Sequence, residues 1–280
     1  MPQQQSAALE AQVLLTGLAM GESPRWHDGR LWLSDWGAQE ILAVDLEGRA
    51  ELITRVPFEL PFCIDWLPDG RLLVVSGRAG ILLRRERDGS LLPHADLRVI
   101  SNEGWNEIVI DGRGNIYVNG GSGVIALITR DGVVRQVADG IAFPNGMAIT
   151  ADNSTLIIAD SHGKMLTAFD IAANGDLRNR RVWANLNGYP DGICIDADGA
   201  VWYADVPNKC CVRVREGGEI LQRVELDRGG FACMLGGPRS ATLFIVANEW
   251  RGMDAMGEVA RARTGQILTI AAPAPGAGWP

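Results

Sequence analysis

The sequence predicts an all-β fold, a six-bladed β-propeller of four-stranded antiparallel blades, and three observations carry the prediction. A motif of a tight turn followed by a short apolar strand occurs six times. Its copies stand 41, 44, 40, 45 and 42 residues apart, which is the spacing of a propeller blade of roughly 40–50 residues. No stretch shows the periodicity and caps of a long amphipathic helix, while 34 glycines, many in Asp-Gly or Gly-Gly pairs, supply turns for a chain of short strands.

Taken in chain order, the copies are GRLWLSD (29–35), GRLLVVS (70–76), GNIYVNG (114–120), STLIIAD (154–160), GAVWYAD (199–205) and ATLFIVAN (241–248). Leu31, Leu72, Ile116, Leu156, Val201 and Leu243 mark equivalent positions in them. Apolar runs at 41–45, 81–84, 124–129, 166–171 and 211–214 fill the next strand of each unit, and 51–54 supplies a further strand in the first. An all-β chain of this length must dispose of its sheet edges, and a closed ring does so. The segments 13–15 and 267–270 are expected to pair and close it. No linker interrupts the pattern, so residues 1–280 read as a single domain. Residues 1–10 and the Ala- and Pro-rich 271–280 are expected to be peripheral extensions.

Composition narrows the function. A net charge of -8 and a pI near 5.0 argue against a nucleic-acid surface. No apolar run approaches the roughly 18 residues of a membrane span. The start, MPQQQSAALEAQVLLTG, lacks the basic and apolar regions of a signal peptide. Five cysteines, odd in number and irregularly spaced, fit neither a disulfide framework nor a zinc site and read as free thiols in a reducing compartment. A cytoplasmic protein is expected.

Nine to eleven positions ahead of the marker, four units carry an oxygen-bearing side chain: Glu22, Asn106, Asn145 and Asp191. The second and sixth units have Phe62 or Cys63 and Phe231 or Ala232 there. The first strand of each blade lines the central channel, so these four side chains should converge at one mouth. Two carboxylates and two amides, with no thiol pair or histidine cluster, suit a hard divalent cation. Asn145–Gly146 and Asp191–Gly192 are also common turn pairs, and singly each reads as a turn; their coincidence across units points to a site.

These residues lie in GESPRW (21–26), WNEIVIDGRGNIYV (105–118), FPNGMAITADNSTLIIADS (143–161), YPDGICIDADGAVWYAD (189–205) and CMLGGPRSATLFIV (233–246). In this order the motifs resemble the regucalcin, gluconolactonase and luciferin-regenerating-enzyme family over 21–247. The resemblance implies a six-bladed propeller with one divalent cation at the channel mouth, calcium before zinc, magnesium or manganese. It implies Glu22, Asn145 and Asp191 as metal ligands, Asn106 as a substrate-holding residue, and Asp191 as general base as well.

The reaction this implies is hydrolysis of a small-molecule lactone or ester by metal-activated water. No G-x-S-x-G elbow or H-E-x-x-H pair competes with it. A non-catalytic metal-binding regulator and a phosphotriester hydrolase remain the alternatives. Two departures bear on the substrate: sugar-lactone members often carry an arginine where this chain has Gly104, and a glutamate where it has Val124. Aromatics stand beside the mouth instead. Trp105 and Tyr189 are expected to touch substrate, while Phe62, Phe143, Phe231, Trp36 and Trp250 divide between the mouth and the packing between blades. His162, beside Asp160 and Ser161, is the histidine expected nearest the channel.

Overall fold

The computed structural model describes residues 11–58, 60–120 and 122–280. The expected extension at 1–10 lies outside the described residues. Strand β1 (Gln12–Leu18) is followed by six sheets. Blade 1 contains β2 (Gly21–His27), β3 (Arg30–Asp35), β4 (Glu40–Val44) and β5 (Ala50–Arg55). Blade 2 has β6 (Phe62–Trp66), β7 (Leu72–Ser76), β8 (Ile81–Arg85) and β9 (Leu91–Asp96). Blade 3 has β10 (Trp105–Ile110), β11 (Ile116–Gly120), β12 (Ile125–Ile128) and β13 (Val134–Ala138). Blade 4 has β14 (Pro144–Ile149), β15 (Thr155–Asp160), β16 (Met165–Ile171) and β17 (Leu177–Asn185). Blade 5 has β18 (Pro190–Asp196), β19 (Val201–Asp205), β20 (Cys210–Val214) and β21 (Ile220–Glu225). Blade 6 has β22 (Gly229–Gly236), β23 (Thr242–Asn248) and β24 (Gly265–Ala271), with β1 as its outer strand. Every marker residue falls in the second strand of its blade, and the architecture is the six-bladed propeller the repeat predicts.

The ring closes as expected. Strand β1 pairs antiparallel with β24, Val13 opposite Leu268 and Leu15 opposite Ile267, so one sheet joins the two ends of the propeller. Hydrophobic cores lie between neighbouring blades. Leu31 and Leu33 of blade 1 pack with Phe244 and Ile245 of blade 6, and Ile64 and Val74 of blade 2 pack with Ile41 of blade 1. All five cysteines are buried and unpaired in this packing. One short helix, α1 (Met256–Ala262), sits in the β23–β24 connection, where no helix is expected from the sequence. No helix among the described residues is long and apolar enough to cross a membrane.

The C-terminal tail departs from the expected peripheral extension. Its last strand, β25 (Gly276–Ala277), pairs with the free inner edge of β18 at Ile195 and Asp196. Trp279 then exchanges both backbone hydrogen bonds with Ile149 of β14, at 2.7 and 2.8 Å. The tail therefore crosses the lower end of the channel from blade 5 to blade 4, covering strand edges that would otherwise lack partners. The Ala- and Pro-rich sequence hides this because only a few residues pair and no period develops. Truncation after Ala272 removes these bonds and the contact of Trp279 with Gly112. It should lower Tm by roughly 5–10 °C, measured by circular dichroism, with the upper mouth unaffected.

Candidate active site

The upper ends of the inner strands are irregular in a pattern that matches the polar residues. Pairing with the second strand is interrupted between Glu22 and Arg25, Trp105 and Ile108, Pro144 and Met147, and Pro190 and Ile193. In each case two residues stand opposite one, a bulge that turns a side chain out of the ladder. Blade 2 pairs without interruption from Phe62 to Trp66, and its Phe62 is fully buried between blades. Blade 6 skips one position, at Phe231. One extra residue on the inner strand thus marks five blades, and four of these five present oxygen.

Glycine makes the convergence possible. A Cβ on Gly146 would lie 2.5 Å from the Asp191 carbonyl oxygen, and one on Gly192 would lie 2.4 Å from the Ala232 Cβ. The pairs Asn145–Gly146 and Asp191–Gly192 therefore lie within strands β14 and β18, not in turns, and their glycines let adjacent inner strands approach. The Asp-Gly turn of blade 5 is made by Asp198 and Gly199, where Gly199 has φ of 74°.

Three buried aspartates at the ends of second strands hold the segments that lead into the site. Asp35 accepts from the Ala19 and Met20 amides at 3.0 and 2.7 Å. Asp160 accepts from Ala142 and Phe143 at 3.1 and 3.0 Å, and Asp205 from Tyr189 at 3.1 Å. Each fixes the approach to its blade's Glu22, Asn145 or Asp191, a structural role that the sequence alone does not assign.

The predicted residues meet in one cavity of about 630 Å³, lined by Glu22, Asn106, Asn145, Asp191, Trp105 and Tyr189. Asn106 Nδ2 donates to Asn145 Oδ1 at 3.3 Å, Asn145 Nδ2 to Ser161 Oγ at 3.4 Å, and Ser161 Oγ to the Pro190 carbonyl at 2.6 Å. Trp36, Phe143, Phe231 and Trp250 also reach the cavity, and His162 lines it with its ring 4.6 Å from Phe143. Phe62 does not; it packs edge-to-face on Phe58.

Beneath the cavity floor lies a buried ion pair that sequence reasoning missed. Arg25 Nη2 donates to Glu107 Oε1 at 3.0 Å and to the Ile108 carbonyl at 2.8 Å, tying blade 1 to blade 3. The residues flank the recognised Glu22 and Asn106, but nothing local joins positions 82 apart in the chain. With Arg25 so committed, Glu22 and Asp191 face the cavity without a cationic partner among its described lining residues. Burial, reinforced by Glu107, raises the Glu22 carboxyl to about 8. Burial and then Glu22 push Asp191 well above the ordinary carboxylate range, against a hydrogen bond from Asn145. A buried Glu22 and a half-buried Asp191, with a carbonyl lone pair left on Asn145, form a donor set that fits a hard divalent cation.

Residues 20–249 match the family described as SMP-30/Gluconolactonase/LRE-like region. Pentonolactonase XacC of Haloferax volcanii is 25% identical over 261 residues, covering 88% of each chain. Diisopropyl-fluorophosphatase of Loligo vulgaris is 26% identical over 199 residues, 60% of this chain and 63% of that one. Regucalcin of Agrobacterium tumefaciens, described as a calcium-binding protein, superposes with a TM-score of 0.80 at 22% identity, covering 97% of this chain and 96% of that one. That likeness concerns the fold.

The raised carboxyl gives a signed prediction for metal-free protein. Between its ordinary 4.5 and about 8, Glu22 keeps its proton in the folded chain and loses it in the unfolded one. The folded state binds more protons there, so stability falls as pH rises through that window. In chelator, Tm should decline from pH 5 to pH 8, and Glu22→Gln should flatten the decline.

Proposed function

The chain belongs to the SMP-30/gluconolactonase/LRE-like family, and on that premise we propose that it is a divalent-metal-dependent hydrolase that opens a lactone ring. The observation that carries the reading is a pair of carboxylates, the buried Glu22 and the half-buried Asp191, facing a largely apolar cavity that no lysine or arginine lines. Glu22, Asn145 and Asp191 would hold the cation. When bound there, a divalent ion supplies Lewis acidity for a carbonyl oxygen and lowers the pKa of water.

This chain's residues would do the rest. The Asp191 carboxylate, open to the cavity on one side, takes the proton of the attacking water as general base. The water oxygen bonds to the carbonyl carbon, the acyl C–O bond breaks, and the ring oxygen leaves as an alcohol after taking up a proton. The product is a hydroxy acid, which releases a proton at neutral pH. Asn106 and Asn145 form a hydrogen-bonded pair beside this position, and the Asn106 amide is placed to orient a substrate oxygen. Burial serves the chemistry, since charge interactions strengthen where water is excluded.

The lactonase among the relatives supports the reaction class, and the relative that is a calcium-binding protein supports a divalent cation. Hydrolysis is followed by acid release, with calcium, zinc, magnesium and manganese compared after chelation. Chelator should abolish turnover and one of these ions should restore it. Asp191→Asn should lower kcat by about 10²–10⁴-fold while the variant keeps a folded circular dichroism spectrum. Metal binding without turnover of any lactone would replace the reading with a metal-binding regulator. Turnover of phosphotriesters alone would assign the site to that chemistry.

A further inference from the structure

Above the polar floor stands a second ring, formed by the residue two positions before Glu22, Phe62, Asn106, Asn145, Asp191 and Phe231: Met20, Leu60, Gly104, Phe143, Tyr189 and Gly229. Four of its six members are large and largely apolar, and none carries a charge. Five of the six, all but Gly229, line the cavity. Trp36, Trp105, Phe231 and Trp250 extend the same wall. Among the described lining residues there is no lysine or arginine, and the titratable groups are Glu22, Asp191, His162 and Tyr189, the last with Lys164 Nζ 4.5 Å from its ring.

The polar groups that line this cavity are largely engaged already. Asn106, Asn145 and Ser161 form a hydrogen-bonded chain that ends on the Pro190 carbonyl. The indole of Trp36 donates to the Phe62 carbonyl at 2.6 Å and that of Trp105 to the Ser101 carbonyl at 3.3 Å. Substrate hydroxyls placed against this wall would leave water with few partners waiting, which is costly. An anionic side chain would find no lysine or arginine along this wall. An alkyl or aryl group would lose nothing and would cover apolar wall.

The wall has one gap. Gly104 is exposed, lines the cavity, and has nothing within 4 Å of the position a Cβ would take. Its φ lies outside the left-handed region, so the backbone does not require glycine there. We infer that the substrate is an uncharged lactone with an alkyl or aryl chain, its ring over the carboxylate floor and its chain against the apolar ring, running out past Gly104. The inference rests on lactone hydrolysis as the reaction of this site and adds the class of substrate.

The experiment has a catalytic arm and a binding arm, both on metal-loaded full-length protein. In the first, kcat/KM is measured for γ-butyrolactone, for γ-lactones with four- and eight-carbon side chains, for a phenyl-substituted γ-lactone, and for aldonolactones. A rise of about fourfold per buried methylene is expected, with the four-carbon lactone roughly two orders of magnitude above γ-butyrolactone and above the aldonolactones. Equal or better turnover of aldonolactones overturns the substrate class while leaving the reaction intact.

In the second arm, alkyl-substituted γ-lactams, which resist hydrolysis, are titrated against the tryptophan fluorescence of the cavity. Affinity should rise with chain length. Such a rise without turnover of any lactone would refute the reaction and uphold the apolar seat; no dependence on chain length in either arm refutes the seat. Gly104→Trp should lower the ratio of long-chain to short-chain kcat/KM at least tenfold. An unchanged ratio would remove Gly104 from the path of the chain.

Discussion

Six strands running side by side around one axis leave almost no room between their backbones, and the site is a response to that crowding. Gly146 and Gly192 exist because a methyl group at either position would collide with the next inner strand. The bulges beside them turn the neighbouring side chains out of the ladder and into the mouth. Ser23 serves blade 1 differently: it takes a φ of 49° within the bulge, and its hydroxyl accepts from the Ile64 amide of blade 2 at 3.0 Å. Close packing of the ring and convergence of the oxygen atoms are one geometric fact.

Charge is then sorted by depth. Below the mouth, Arg25 satisfies Glu107, and Asp65 accepts from the Ile110 amide at 2.8 Å. At the strand ends, Asp35, Asp160 and Asp205 are consumed by backbone amides. A buried carboxylate is tolerated when its lone pairs are engaged in this way. Glu22 and Asp191 are the pair this sorting leaves over: Glu22 takes a 2.7 Å bond from the adjacent Ser23 amide, yet no cationic side chain lines the cavity beside either.

The propeller was legible because hairpins are local: a turn pair and alternating apolar residues sit within a few positions of one another, and the repeat multiplies the signal sixfold. Glu22, Asn106, Asn145 and Asp191 could be picked out for the same reason, each occupying an equivalent place in its unit. What stayed hidden is non-local. The Arg25–Glu107 bridge joins two blades across a third. Phe62 occupies the same place in its unit as Phe231 and differs in that its strand pairs without a bulge. The helix beside Met256 sits in a connection that no other blade shares. The tail resembles a loose end because backbone bonds, which any sequence can make, hold it.

That tail ties blade 5 to blade 4 at the lower end of the bore, while the Arg25–Glu107 pair ties blade 1 to blade 3 beneath the cavity floor. Four blades are thereby joined below the cavity, and a lactone of the proposed reaction would meet the floor residues from the upper mouth. On the proposed reaction, the departing hydroxy acid carries a charge that the uncharged ring lacked. With Glu22 and Asp191 committed to a cation, its release is favoured by a wall that has no lining lysine or arginine to hold it.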